Sequence, residues 1–283
     1  MLFTMVMLGV VYLAFLAFLY YYAGISTLGM VIIAGGLLLL QYFYSDRLVL
    51  WSTGAREVSE SEAPELHAMV TRLCAIANLP MPRIAIVNTS APNAFATGRS
   101  QKASAVAVTS GIMNQLNRDE LEAVLAHELT HVKNRDAAIM TIASFLSTIA
   151  FFLVRNFLFF GEAYDRRSRG SGGSIIVVWL ISLLVWILSF ILIRALSRYR
   201  EFAADRGSAI ITGRQSHLAS ALMKISSISA RIPTQDMRRV EGSNTLNIVP
   251  ALSGQPVFNL FSTHPSTEAR IAALEKMSQE MEA

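Results

Sequence analysis

The chain has 283 residues, of which 53% are hydrophobic and only 16% charged, and its mean hydropathy is +0.45. That balance points to a membrane protein rather than a soluble domain. The net charge of +4 does not call for a nucleic-acid partner, because Arg47, Lys133, Arg135, Arg194, Arg198 and Arg200 cluster beside apolar segments, where lipid headgroups account for them.

Four segments read as membrane spans: Leu2 to Tyr22, Thr27 to Tyr44, Ala137 to Val154 and Ile175 to Ile193. Each offers roughly 17 to 22 mostly apolar residues against the ~20 needed to cross ~30 Å of hydrocarbon. The first lacks a basic leading region and a small-residue cleavage site, so it reads as a retained span and not a signal peptide. Only "AGIS" (Ala23 to Ser26) separates it from the second, which makes the pair a tight antiparallel hairpin.

Ser45 to Asp136 is polar enough for a soluble region and reads as helix, strands, helix. "SEAPELHAMVTRLCAIANLP" places Leu66, Met69, Val70 and Leu73 at helical spacing, with Pro64 in the first turn and a stop before Pro80. His67 falls on this helix without partners and reads as structural, as His217 does further on. Cys74, the single cysteine, rules out an internal disulfide framework, and its apolar neighbours make it a buried thiol. "RIAIVN" and "SAVAVTSG" read as short strands on either side of "APNAFATG", which by itself is an ordinary hairpin. Asn117, with Glu120 three residues on, predicts a capped start for the helix "NRDELEAVLAHELTH".

Arg169 to Ser174, "RGSGGS", reads as a flexible connector between the last two spans. Beyond them, "RYREFAADRGSAIITG", "SHLASALMKISSIS" and "STEARIAALEKMSQEME" are helical in pattern, and Arg231 to Ser262 reads as loop.

The chemistry concentrates in "AVLAHELTHVKNRD". Residues four apart on a helix lie ~40° apart around its axis, so His127 and His131 can hold one metal while Glu128 projects beside it. In this arrangement two imidazoles bind zinc and the glutamate acts as general base toward water. A catalytic zinc needs a third protein ligand, and "REFAAD" offers Glu201 with Asp205 four residues later on the same helical face. Two spans separate His131 from Glu201, and an even number of crossings returns Glu201 to the side of the histidines. The plainer alternative for Glu201 and Asp205 is a solvated face paired with Arg198, Arg200 and Arg206.

The amino-terminal hydrophobic hairpin, "NAFATG", "AVLAHELTHVKNRD", the second hydrophobic pair, "YREFAAD" and "STHPSTEARI" occur here in one order. In that order the chain resembles, over nearly its whole length, the HtpX-like membrane zinc metalloproteases, relatives of the CAAX prenyl endopeptidases. The resemblance implies a mainly α integral membrane protein: four transmembrane helices with an α+β zincin-type catalytic domain built from segments on either side of the second helical pair. It implies one zinc per chain on His127, His131 and Glu201, with Glu128 activating water and Asp205 orienting a zinc-bound imidazole. Asn93, Ala94, Phe95, Ala96, Thr97 and Gly98 would be an edge strand to which a substrate backbone adds. His264 could donate to a developing oxyanion with Arg270 assisting, or His264 could simply cap the helix that follows it.

The expected organisation is a transmembrane hairpin (1–44), a first catalytic segment with the zinc helix (45–136), a second transmembrane pair (137–195) and a second catalytic segment (196–283). The expected function is ATP-independent zinc endopeptidase action on misfolded or damaged membrane proteins. The expected partners are those substrates and the bilayer, with no nucleic acid and no nucleotide. A client-binding scaffold without catalysis and a prenyl-protein endopeptidase are the alternatives. Basic residues near the span ends number eight on the zinc side (Arg47, Arg56, Lys133, Arg135, Arg194, Arg198, Arg200 and Arg206) against Arg166, Arg167 and Arg169 opposite. The excess puts the catalytic domain in the cytoplasm, at the inner membrane.

Overall fold

The computed structural model describes residues 46–155, 172–229 and 264–282, with the single positions 7, 10, 11, 14, 36, 39, 43 and 44. Nearly all of the first two expected spans, and the expected loop Arg231 to Ser262, lie outside the described residues. The chain divides into two compact units, Met1–Tyr42 with Ile139–Leu196, and Phe43–Ala138 with Ser197–Ala283.

The second unit is built on a four-stranded sheet of order β1-β2-β4-β3, from Arg56–Glu57 (β1), Arg83–Val87 (β2), Ala94–Gly98 (β3) and Ser104–Thr109 (β4). The two strands legible as "RIAIV" and "SAVAVT" are parallel neighbours, Ile84 beside Val106 and Ile86 beside Val108. The segment between them is not a simple hairpin. Its β3 pairs antiparallel with β4 alone, Ala96 opposite Val106, and so forms one edge of the sheet. β1 is only two residues long and carries no alternation to read.

Period-two alternation sends Ala85, Phe95, Ala105 and Ala107 to one face of the sheet, where a helix over residues 46–52 (α1) covers them through Leu50. The other face, with Ile84, Val106 and Val108, packs in one core with Pro64–Ala77 (α2), Ser110–Gln115 (α3), Arg118–Asn134 (α4), Gln215–Ser229 (α7) and Thr267–Glu282 (α8). α2 places Leu66, Met69, Val70, Leu73 and Cys74 in that core and stops where Asn78 turns left-handed. The start of α4 is held as its sequence predicts. Asn117 Oδ1 accepts from the Glu120 N–H at 2.9 Å, and the Asn117 N–H donates to Glu120 Oε2 at 2.9 Å.

Two helices run through the unit boundary. Asp136–Arg155 (α5) follows α4 after a single left-handed residue, Arg135, at φ 56°. Gly172–Thr212 (α6) is continuous for 41 residues, about 62 Å at 1.5 Å per residue. "RYREFAAD" is therefore not a separate helix, because nothing between Ile193 and Tyr199 breaks the one before it. Gly172 to Ser174 belong to α6 as well, which corrects the expected connector over that part; residues 169–171 lie outside the described ones. Among the described residues, one helical stretch, Ile176–Thr212, is long and apolar enough to cross a membrane, and only 17% of its most apolar window is buried. In the first unit, Ala143 and Leu196 form one buried contact cluster and Ala150 and Val185 another. The Trp179 indole N–H donates to Val154 O at 3.3 Å.

Candidate active site

α4 and α6 carry the reactive side chains. One helical turn separates His127 from His131, which brings their rings to 4.7 Å between centroids at 90° and their Nε2 atoms to 3.1 Å. Glu201 on α6 faces both, with one oxygen 3.6 Å from His127 Nε2 and the other 3.6 Å from His131 Nε2. One ligand atom from each of these three residues can be chosen so that all lie within 4.8 Å of one another.

What aims the imidazoles is a pair of buried carboxylates on the opposite ring nitrogens. Asp205 Oδ1 stands 2.9 Å from His127 Nδ1, and Asp136 Oδ2 stands 2.6 Å from His131 Nδ1. Each carboxylate accepts the Nδ1 proton, so each ring turns an Nε2 lone pair toward Glu201. When both imidazoles are neutral, two lone pairs 3.1 Å apart repel unless a cation, a metal ion or a proton, lies between them. Nitrogens each ~2.0–2.1 Å from a tetrahedral zinc stand about 3.4 Å apart, close to the spacing seen. Glu201 Oε2 is buried without a well-aligned hydrogen bond, although His264 Nδ1 lies 3.1 Å from it and an Arg270 nitrogen 3.6 Å. Donor chemistry and spacing both fit a zinc ion.

Asp136 escapes a sequence reading. It lies beyond the helix that carries the histidines, and returns to His131 because Arg135 adopts a left-handed conformation uncommon for any residue but glycine or asparagine. Asn134 is the residue one would choose for that turn. The acid five positions after His131 was the available signal. Asp136 also draws in Arg200, whose Nε stands 3.2 Å away with the side chain mostly buried. Arg200 is thus taken up by the site and not by headgroups.

Glu128 is buried at 4% exposure. Burial pushes its carboxyl upward and Glu201 adds to that, against the opposing pull of His127, His131 and the N–H of Ala96. The hydrogen bond from Ala96 matters for β3. The Thr109 N–H donates to Asn93 O at 2.9 Å, so in antiparallel alternation the N–H groups of Ala94, Ala96 and Gly98 point away from β4. The outward edge of β3 thus reaches the catalytic glutamate candidate. Phe95 is buried on the far face of the sheet, and its own N–H and C=O point toward β4, so the outward edge is formed by its neighbours Ala94 and Ala96.

His264 is buried beside Glu201 and does not simply cap the helix on the surface. Arg270, 1% exposed, grips Asp205 through two bonds of 2.8 and 2.6 Å. Two of its guanidinium nitrogens bind that carboxylate, and the third lies 3.6 Å from Glu201. His67 bonds the Val58 carbonyl oxygen at 3.0 Å, and His217 lies apart, in a polar surface cleft with Arg118 and Arg214.

The model of peptidase family M48 matches residues 60–278. The chain is 62% identical over 281 residues to Protease HtpX homolog 2 of Methanosarcina mazei, covering 99% of this chain and 95% of that protein. It is 57% identical over 280 residues to the Protease HtpX homolog of Moorella thermoacetica, covering 99% and 93%. The crystal structure of S. mikatae Ste24p is similar at a TM-score of 0.57 and 19% identity, over 94% of this chain. At that identity the likeness is one of fold, and the chain spans 62% of that protein's length.

Proposed function

The chain belongs to peptidase family M48 and is a membrane metalloprotease, and from that premise we propose that it cleaves exposed or unfolded segments of damaged membrane proteins at the bilayer surface. It works with one zinc per chain and without nucleotide, at the inner membrane with the catalytic unit toward the cytoplasm. One observation supports this most strongly. Two imidazoles, their Nδ1 atoms tied to the buried carboxylates of Asp205 and Asp136, turn their Nε2 atoms toward the carboxylate of Glu201.

His127, His131 and Glu201 would hold the zinc, which when bound polarises the scissile carbonyl and activates water as a Lewis acid. The remaining work falls to this chain's own groups. Glu128, beside the histidines and held by the Ala96 N–H, takes a proton from the attacking water and returns it to the leaving amine. The outward N–H and C=O groups of Ala94, Ala96 and Gly98 bind the substrate backbone as an added strand, which sets its scissile bond over Glu128. His264 donates to the oxygen that gains charge, and Arg270 keeps Asp205 in place.

Glu128→Gln is the direct test. The amide keeps the size and adds no charge, so the protein should fold and bind zinc as wild type does. Cleavage of unfolded casein should fall by at least ~100-fold, as for loss of a positioned base. A variant that cleaves at close to the wild-type rate would remove Glu128 from the mechanism.

A further inference from the structure

The helical residues 43, 44 and 46–52 present two unlike faces. Asp46 and Leu50 are buried; Leu50 joins the cluster behind the sheet with Val49 packed against it, and Asp46 is held by Arg83 at 2.7 Å. At 100° per residue, Tyr44, Leu48 and Trp51 fall within about 60° of one another on the opposite side. They are 51%, 57% and 82% exposed. Arg47 and Ser52, both exposed, flank this stripe.

Isolated apolar residues on a surface need no explanation. A tyrosine, a leucine and a tryptophan in one row beside an arginine do, because such rows suit the boundary between lipid headgroups and acyl chains. There the rings bury their bodies and keep the Tyr hydroxyl and Trp N–H in a wet layer. The chain itself argues for lipid over a protein partner. The stripe starts at the last residue of the apolar segment Thr27 to Tyr44 and reaches seven residues past it, about 10 Å of helix.

We infer that this helix is an interfacial foot, resting on the bilayer through Tyr44, Leu48 and Trp51 and fixing the height of the sheet above the lipid. The inference stands apart from any catalytic assignment. The foot is tied to the sheet twice: through Arg83 on β2, and through Arg99, just past β3, which donates to Phe43 O at 3.4 Å and stacks 5.3 Å from the Phe43 ring centroid. Contact with lipid at Trp51 therefore also sets the level of the β3 edge.

The test uses the full chain in lipid nanodiscs. Trp51, Trp179 and Trp186 are the three tryptophans, so the emission of wild type minus that of Trp51→Phe isolates Trp51 without altering the apolar helices. Nanodiscs are made with phosphatidylcholine bearing a nitroxide on the headgroup, or near the end of an acyl chain. Trp51 should lose most of its intensity to the headgroup label and far less to the chain-end label. Insensitivity to both labels with water-like emission overturns the inference. So does a blue-shifted, unquenched Trp51, which means that protein covers the stripe. Stronger quenching from the chain end would place the helix inside the hydrocarbon and overturn it too.

Discussion

Two carboxylates that touch no substrate decide the form in which His127 and His131 meet a metal. Replacing Asp136 or Asp205 with Asn keeps shape but removes the charge that holds the Nδ1 proton, and zinc affinity should fall roughly 10 to 100-fold for either. Competition against a calibrated chelator measures it, and unchanged affinity in Asp136→Asn would mean that its bond to His131 does not orient the ring. The same bonds make metal uptake depend on pH. In the metal-free protein burial opposes a charge on His127, but the bonds to Asp205 and Glu201 outweigh it and raise its pKa from 6.5 to about 9. A folded-state pKa above the unfolded value contributes stability that is full below the unfolded value and lost as pH rises through the folded one. Metal-free protein should therefore lose thermal stability from about pH 6.5 to 9, while the extra stability conferred by zinc grows over that window, because zinc needs the neutral imidazole. Melting curves with and without zinc across the window check both signs; a flat metal-free profile would show that His127 is not charged there.

The crossing of α4 and α6 brings Glu201 and Asp205 to the histidines, and it depends on a residue with no side chain. A Cβ on Gly207 would lie 2.3 Å from Thr130 Cγ2 and 2.4 Å from its Oγ1, one residue before His131. The next residue of α6 adds a buried bond, from Ser208 Oγ to Ala123 O at 2.7 Å. Gly207→Ala gains ~1 kcal/mol of helix propensity, whereas forcing an atom into a packed crossing costs ~1–3 kcal/mol. Because Thr130 is branched and bonded back to Ala126 O, it has little room to yield, and the cost should win. The variant is expected to lose zinc affinity as well as stability. Thr130→Ala, which deletes the two nearest atoms, should restore part of both; additive losses would place the strain elsewhere. Such features explain what the sequence leaves unread. The cap at Asn117, the apolar face of α2 and the spacing of His127, His131, Glu201 and Asp205 are local patterns. The partnership of Asp136 with His131 follows from a left-handed arginine, and the edge position of β3, expected only through the family resemblance, follows from non-local pairing; neither has a periodicity to betray it.

At the scale of the whole molecule, the direction in which the chain crosses the bilayer decides which proteins it can reach. The rule that sets orientation counts lysine and arginine in short flanking segments and gives acids little weight. Pairing of Arg200 with Asp136 therefore does not cancel its vote. Eight basic residues lie near the span ends expected on the zinc side, against Arg166, Arg167 and Arg169 in the segment expected to join the last two spans, so that segment should be the translocated one despite its three arginines. The single native cysteine, Cys74, is buried, with its thiol pushed up to about 11 by burial, and should give no background with a maleimide on folded protein. Ser168→Cys places a probe in that expected connecting segment, and Ser216→Cys places one at an exposed position near the start of α7. A membrane-impermeant maleimide added to intact cells should label Ser168→Cys and leave Ser216→Cys untouched until the membrane is permeabilised. The reverse pattern would put the catalytic unit outside the cytoplasm, and its substrates would then be the outward-facing segments of membrane proteins.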